Sequence, residues 1–282
     1  MVGVQRSSSG RVKVLFSLTL LIFVQGCQST SSLSLDWESK VRLHHEMTPG
    51  GQLLLEAMEA HGGLEQWYAN GILSFRWTYF MRDLGPEAMV DTHQKVDLSS
   101  MEVVHKVPDT DIRFGWTEGG AWIDPPEASS VIPARFWALT PIYFVGMPFV
   151  FADVGTQAKL LDDFEFEGVV WRQIKITFSS ELVDAPDDIY ILLVHPQKKY
   201  IGGVRYTLTS PQLTERTAAK EKLLTLDHQE WVKGIYLPKY HRTFSMKEGR
   251  PHQKVRDAKV RDLKFLHRGS IDFQSPVGAL KL

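Results

Sequence analysis

The sequence predicts a mainly β fold of the α+β type, in which one large antiparallel sheet follows a short helical opening. Three observations predict it. From Ile72 onward, apolar and polar residues alternate with period two in run after run. Turn-forming pairs such as Glu167-Gly168, Lys233-Gly234 and Glu248-Gly249 separate those runs at hairpin spacing. Helical spacing is confined to the stretch before Ile72 and to one proline-broken segment in the middle of the chain.

The chain opens with an export signal. Arg6, Arg11 and Lys13 precede an apolar run at 14–24 (VLFSLTLLIFV), which is too short for a stable bilayer span. Val24-Gln25-Gly26-Cys27 then resembles the lipobox of bacterial lipoproteins, with Gln25 departing from the usual small or aliphatic residue. A chain with one cysteine builds no internal disulfide, and lipidation gives Cys27 a role. The expected organisation is a signal peptide at 1–26, a lipid-anchored tether at 27–48, a folded body at 49–270 and a tail at 271–282. Acyl chains on Cys27 would contribute about 0.8 kcal/mol per buried methylene, enough to hold the protein on a membrane. Gln28, where an Asp would favour the inner membrane, points to the outer membrane facing the periplasm.

The tether starts Ser/Thr-rich, and residues 37–47 add a short helical piece. Leu53, Leu54, Ala57, Met58 and Ala60 recur at helical spacing until Gly62-Gly63 stops the helix, and residues 64–68 form one more turn. Leu73, Phe75, Trp77, Tyr79 and Met81 then make one apolar strand face. Further strands are expected at 89–97, 101–107, 112–117, 121–123, 158–166, 169–178, 188–195, 199–208, 222–231, 235–245 and 254–266. Residues 129–151 break the pattern: SSVIPARFWALTPIYFVGMPFVF is dense in large apolar side chains and carries Pro133, Pro141 and Pro148. Prolines argue against a central strand or one uninterrupted helix, so a short helix at 134–139 followed by an apolar loop is expected. Such a segment either covers an apolar sheet face, acts as a lid over it or meets a membrane, or it completes an ordinary core.

Composition excludes several functions. With 32 basic and 33 acidic residues, the chain has no overall field to gather nucleic acid. The basic stretch at 250–268 interleaves charges with Val255, Val260, Leu263, Phe265 and Leu266 and reads as an exposed sheet face. His44, His45 and His61 lack companion ligands at metal spacing, and no nucleophile elbow, P-loop or GxGxxG follows a strand. Asp162-Asp163 and the Asp184, Asp187, Asp188 group read as turns. No catalytic residue, metal or cofactor is expected.

Three stretches carry a resemblance. Ala57-Met-Glu-Ala-His61-Gly-Gly-Leu-Glu-Gln-Trp67 is similar to the HGG-L-x-x-W start of a family of bacterial secreted proteins and lipoproteins. Tyr143-Phe-Val-Gly-Met-Pro148-Phe149 and Asp188-Ile-Tyr190, ahead of His195-Pro, resemble later stretches of that family. The family resembles the wider LolA/LolB-like superfamily of the outer-membrane lipoprotein-sorting type. The resemblance covers residues 53–266 and implies a curved antiparallel sheet, a half-open β-barrel with covering helices over an apolar cavity. It carries over no ligand residue, and fold analogy does not fix function.

On such a sheet, Phe75, Trp77, Tyr79, Phe114, Trp116 and Trp122 are expected on the concave face. Arg135, Phe136, Trp137, Tyr143, Phe144, Met147 and Phe149 are expected in its cover. Together they can form an apolar cleft for a lipid, an acyl chain or a lipidated partner, as a carrier or receptor would require. The competing reading makes them core in an envelope structural or interaction protein without a ligand. A hydrolase with scattered residues is the third reading.

Overall fold

The structure is a computed structural model that describes residues 30–179, 188–209 and 220–282, with side chains described from residue 37. Cys27, the stretch at 1–26 read as an export signal, Asp184 and Asp187 lie outside the described residues.

Helix α1 (Thr30–Glu46) runs into α2 (Pro49–Ala60) and the short α3 (Leu64–Ala69). Thr48 caps α2: its hydroxyl accepts from the Gly51 N–H at 3.1 Å, and Pro49 occupies the first turn, where no N–H is needed. Arg42 of α1 bridges Glu38 and Glu59, tying α1 to α2, while Val41 and His45 are buried. The folded body therefore takes in part of the stretch read as tether.

Five strands follow in a meander: β1 (Ile72–Phe80), β2 (Met89–Asp97), β3 (Val103–Lys106), β4 (Arg113–Thr117) and β5 (Gly120–Asp124). Helix α4 (Ala134–Val145) and a short turn at Phe149–Phe151 interrupt them. The chain resumes with β6 (Thr156–Phe166), β7 (Val169–Phe178), β8 (Ile189–Val194), β9 (Ile201–Thr207) and β10 (Lys222–Thr225). A small ribbon of β11 (Glu230–Val232) and β12 (Ile235–Leu237) leads to β13 (Tyr240–Lys247), β14 (Arg250–Leu266) and β15 (Leu280–Lys281). The run expected at 222–231 is thus two strands, and Pro238 splits the one expected at 235–245.

Thirteen strands form one antiparallel sheet in the order β15-β5-β4-β3-β2-β1-β14-β13-β10-β9-β8-β7-β6. Pairing of β1 with β14 joins the early meander to the late one. The edge strands β15 and β6 do not pair, so the sheet is open. It is also curved. Strands β4 and β9 stand seven steps apart, or about 34 Å on a flat sheet, yet Phe114 and Tyr206 line one cavity. Bulges supply part of the bend. The register of β1 on β14 shifts between Ser74 and Arg76, opposite Asp262 at φ 57°.

The inner face holds the main core. Over β6–β8 it is filled: Phe151 meets Tyr190 at 5.3 Å, and Phe149 stacks on Trp67 of α3 at 4.7 Å. Over β3–β5 it is roofed by α4, which His105 pins by bonding the Ala138 carbonyl at 2.9 Å. Helix α4 extends to Val145 and contains Pro141, beyond the short helix expected at 134–139. Pro141 forfeits one helical hydrogen bond, and burial of Ile142, Phe144 and Val145 holds the last turn in place. The outer face carries a smaller cluster around Trp171, Leu193 and Leu223.

Candidate functional site

Between α4 and the inner face lies a cavity of about 360 Å³, within the range of small-molecule sites. Its floor is Trp77 and Tyr79 of β1, Val90 and Thr92 of β2, and Phe114 of β4. Tyr206 and Leu208, on and just beyond β9, close the far side. Its roof is Phe136, Trp137, Thr140 and Phe144 of α4, spaced so that one helical stripe faces down. Trp137 meets Tyr79 edge-on at 5.8 Å, and Phe144 meets Tyr206 at 5.1 Å. Leu84, Met89 and Val131 also line the cavity and are exposed, so they mark its mouth.

Strand parity explains the floor. Leu73, Phe75, Trp77 and Tyr79 alternate inward, while Arg76 and Thr78 point outward to Asp91, the arginine at 2.6 Å. Of the residues proposed from sequence, Trp77, Tyr79, Phe114, Phe136, Trp137 and Phe144 come together around the cavity. The others do not line it. Phe75 is inward but buried in the filled core, and Trp116 is half-buried at the rim of that core. Trp122 pairs with Gly115, on the face opposite Phe114, and lies across that glycine. Tyr143 stacks on Tyr190, Met147 is fully buried, and Phe149 is held by Trp67.

Sequence reading missed the cations. Lys220, Lys222 and Arg256 line one end of the cavity. Arg256 belongs to the stretch read as an exposed face. The register of β13 on β14 jumps from Thr243↔Arg256 to Phe244↔Lys254, so Val255 is bulged and the following residues change face. A bulge leaves no mark in hydrophobic periodicity. The inward cation is tolerated because Asp83 accepts two bonds from its guanidinium, each 2.7 Å.

The histidines are occupied elsewhere. His61 donates from Nδ1 to the Tyr236 carbonyl at 2.7 Å and accepts the Ile201 N–H on Nε2 at 2.9 Å. His61 is therefore a clamp between β9 and β12. Burial pushes the imidazoles of His45, His61, His105 and His241 down to about 4, so all four are neutral at pH 7. Among the described residues, no histidine or serine lines the cavity. Among the described residues, no group of three or more His, Cys, Asp or Glu is placed to hold a metal, and no helix is long and apolar enough to cross a membrane.

No family model and no curated protein matches the sequence. Solved structures similar to it include a DUF1329 family protein from Desulfovibrio piger, 10% identical, covering 79% of this chain and 95% of that one, with a TM-score of 0.49. Another is a LolA superfamily protein from Nitrosomonas europaea, 11% identical, covering 78% of this chain and 94% of that one, also with a TM-score of 0.49. These are likenesses of fold at low identity, and nothing of either protein's role is carried over to this chain.

Proposed function

We propose that this protein binds an acyl chain in the cavity beneath α4, as a carrier or receptor for a lipid or lipidated partner in the bacterial envelope. The observation that carries the reading is that the concave face is incompletely filled. Side chains pack the sheet solid over β6–β8, whereas about 360 Å³ stays open between α4, β1, β2 and β9. Most of the lining is aromatic and aliphatic, with the cations gathered at one end. A chain held there is held by area, at about 25 cal/mol per Å² before ordering costs are subtracted. Such a wall suits binding. It offers no hydroxyl–imidazole pair, which disfavours the hydrolase reading.

The same reading gives Cys27 the lipid anchor and the folded body a place on the outer membrane, facing the periplasm. The exposed Leu84, Met89 and Val131 at the mouth then form an apolar threshold across which a chain passes.

Native mass spectrometry of the Cys27→Ser protein tests this reading. The expected result is copurified fatty acid or phospholipid, and displacement of an apolar fluorescent probe by added hexadecanoate. A protein that carries no lipid and takes up no probe would be an envelope structural or interaction module instead.

A further inference from the structure

The cavity ends in a group of cations set on an otherwise apolar face. Lys222 pairs across the sheet with Tyr206, and Arg256 with Thr243, so both start on the inner face. Lys220 and Lys222 also line a second recess of about 430 Å³ beside the cavity. That recess is the more polar of the two, with Asp83, Glu221, Ser245 and Glu248 beside Met246 and Val255 in its wall. The same two lysines thus join an oily space to one richer in polar groups.

The carboxylates nearby are largely committed. Asp83 is held by both arms of Arg256. Glu221 pairs with Arg205 at 2.7 Å. Glu248 sits exposed in the β13–β14 turn. Lys222 is half-buried and has no ion-pair partner among the described residues. Burial first, and the charge of Arg256 second, push its ammonium down to about 8, while Asp83 pulls the other way. A charge held against an apolar wall without a counter-charge is costly, and an arriving anion would relieve it.

We propose that the ligand is an anionic amphiphile: its carboxylate or phosphate head rests on Lys222 and Lys220, and its chain lies along Trp77, Tyr79 and Trp137. This rests on the acyl-chain reading of the cavity and adds the charge of the head group. A neutral glyceride or alcohol would leave Lys222 uncompensated.

Matched probes separate the two claims. The Cys27→Ser protein, loaded with an apolar fluorophore at pH 7 and low salt, is titrated with hexadecanoate, hexadecyl phosphate, hexadecanol and inorganic phosphate. One or both anionic amphiphiles should displace the fluorophore at least tenfold better than hexadecanol, the margin of one charge-assisted hydrogen bond. Inorganic phosphate should displace none. Lys222→Met should erase the advantage, so that anionic and neutral C16 compounds displace the fluorophore alike, and Lys222→Arg should keep it. Equal displacement by all three C16 compounds would overturn the anionic head while leaving the chain site standing. Displacement by inorganic phosphate as strong as by hexadecyl phosphate would reassign the lysines to a free anion. Failure of every C16 compound would sink the cavity reading itself.

Discussion

His61 shows how one side chain can fix a motif without touching the ligand. It follows the last turn of α2, and its ring spans to two other elements, β9 through the Ile201 N–H and β12 through the Tyr236 carbonyl. Gly62 must then bend the chain away at φ 117°, and a Cβ there would lie 2.0 Å from the Gly234 carbonyl oxygen. The His-Gly-Gly signature is therefore a joint between helix and sheet. His61→Ala strands a buried donor and a buried acceptor, each worth about 1–3 kcal/mol, so the urea midpoint at pH 7 should fall markedly. The pH dependence has a definite sign. His61 titrates near 4 when folded and 6.5 when unfolded, so below 6.5 the unfolded chain binds the extra proton. Stability is fully present above 6.5 and is lost as pH falls toward 4, by at most about 1.4 kcal/mol per pH unit for this one ring. Removing the ring should flatten the loss measured between pH 7 and pH 5. An unchanged slope would show that His61 is already protonated in the fold.

The segment at 129–151 combines the two roles that the sequence left open. Its first half, α4, roofs the cavity with Phe136, Trp137, Thr140 and Phe144. After Gly146 the chain turns down and becomes core, with Phe149 on Trp67 and Phe151 on Tyr190. Density of apolar residues marked the whole segment as important. It could not divide the segment, because a cavity wall and a plug draw on the same residue types. Substitution can divide it. Thr140 projects into the cavity, and its hydroxyl makes only a local bond to the Phe136 carbonyl. Thr140→Phe should fill the space, abolishing probe uptake while changing stability by no more than about 1 kcal/mol. Phe149→Ala should cost about 3–5 kcal/mol and leave uptake intact under conditions where the protein stays folded. Probe titration beside urea unfolding reads both. If Thr140→Phe lowered stability by several kcal/mol and left uptake intact in the protein that stays folded, the assignment of roof and plug would be reversed.

At the scale of the molecule, the period-two runs disclosed most strands and the turn pairs disclosed most hairpins, because both are local. Three features were not legible. The pairing of β1 with β14 joins residues nearly two hundred positions apart and has no local signature. The bulge at Val255 breaks the alternation along β14, so Arg256 faces inward with Ala258 and Val260 while Lys254 lies on the other face. The alternation that correctly placed Trp77 and Tyr79 inward also holds on β5, yet a single aromatic there could not say which face was inner, and Trp122 went to the other one. That β1–β14 seam gives ligand binding a global consequence. The cavity draws Trp77, Val90 and Phe114 from the early meander and Tyr206 and Lys222 from the late one, so an occupant touches both. Ligand at one hundred times its Kd adds about 2.7 kcal/mol to the folded state. For a body of this size, that corresponds to a rise in Tm of about 5–10 °C. Calorimetry of the Cys27→Ser protein with saturating hexadecanoate should show one transition that moves upward as a whole. Two transitions, of which only one moves, would mean that the halves melt independently and that the ligand rests on a single meander. No movement would mean that hexadecanoate does not bind the folded state in preference to the unfolded chain, and would overturn the acyl-chain reading.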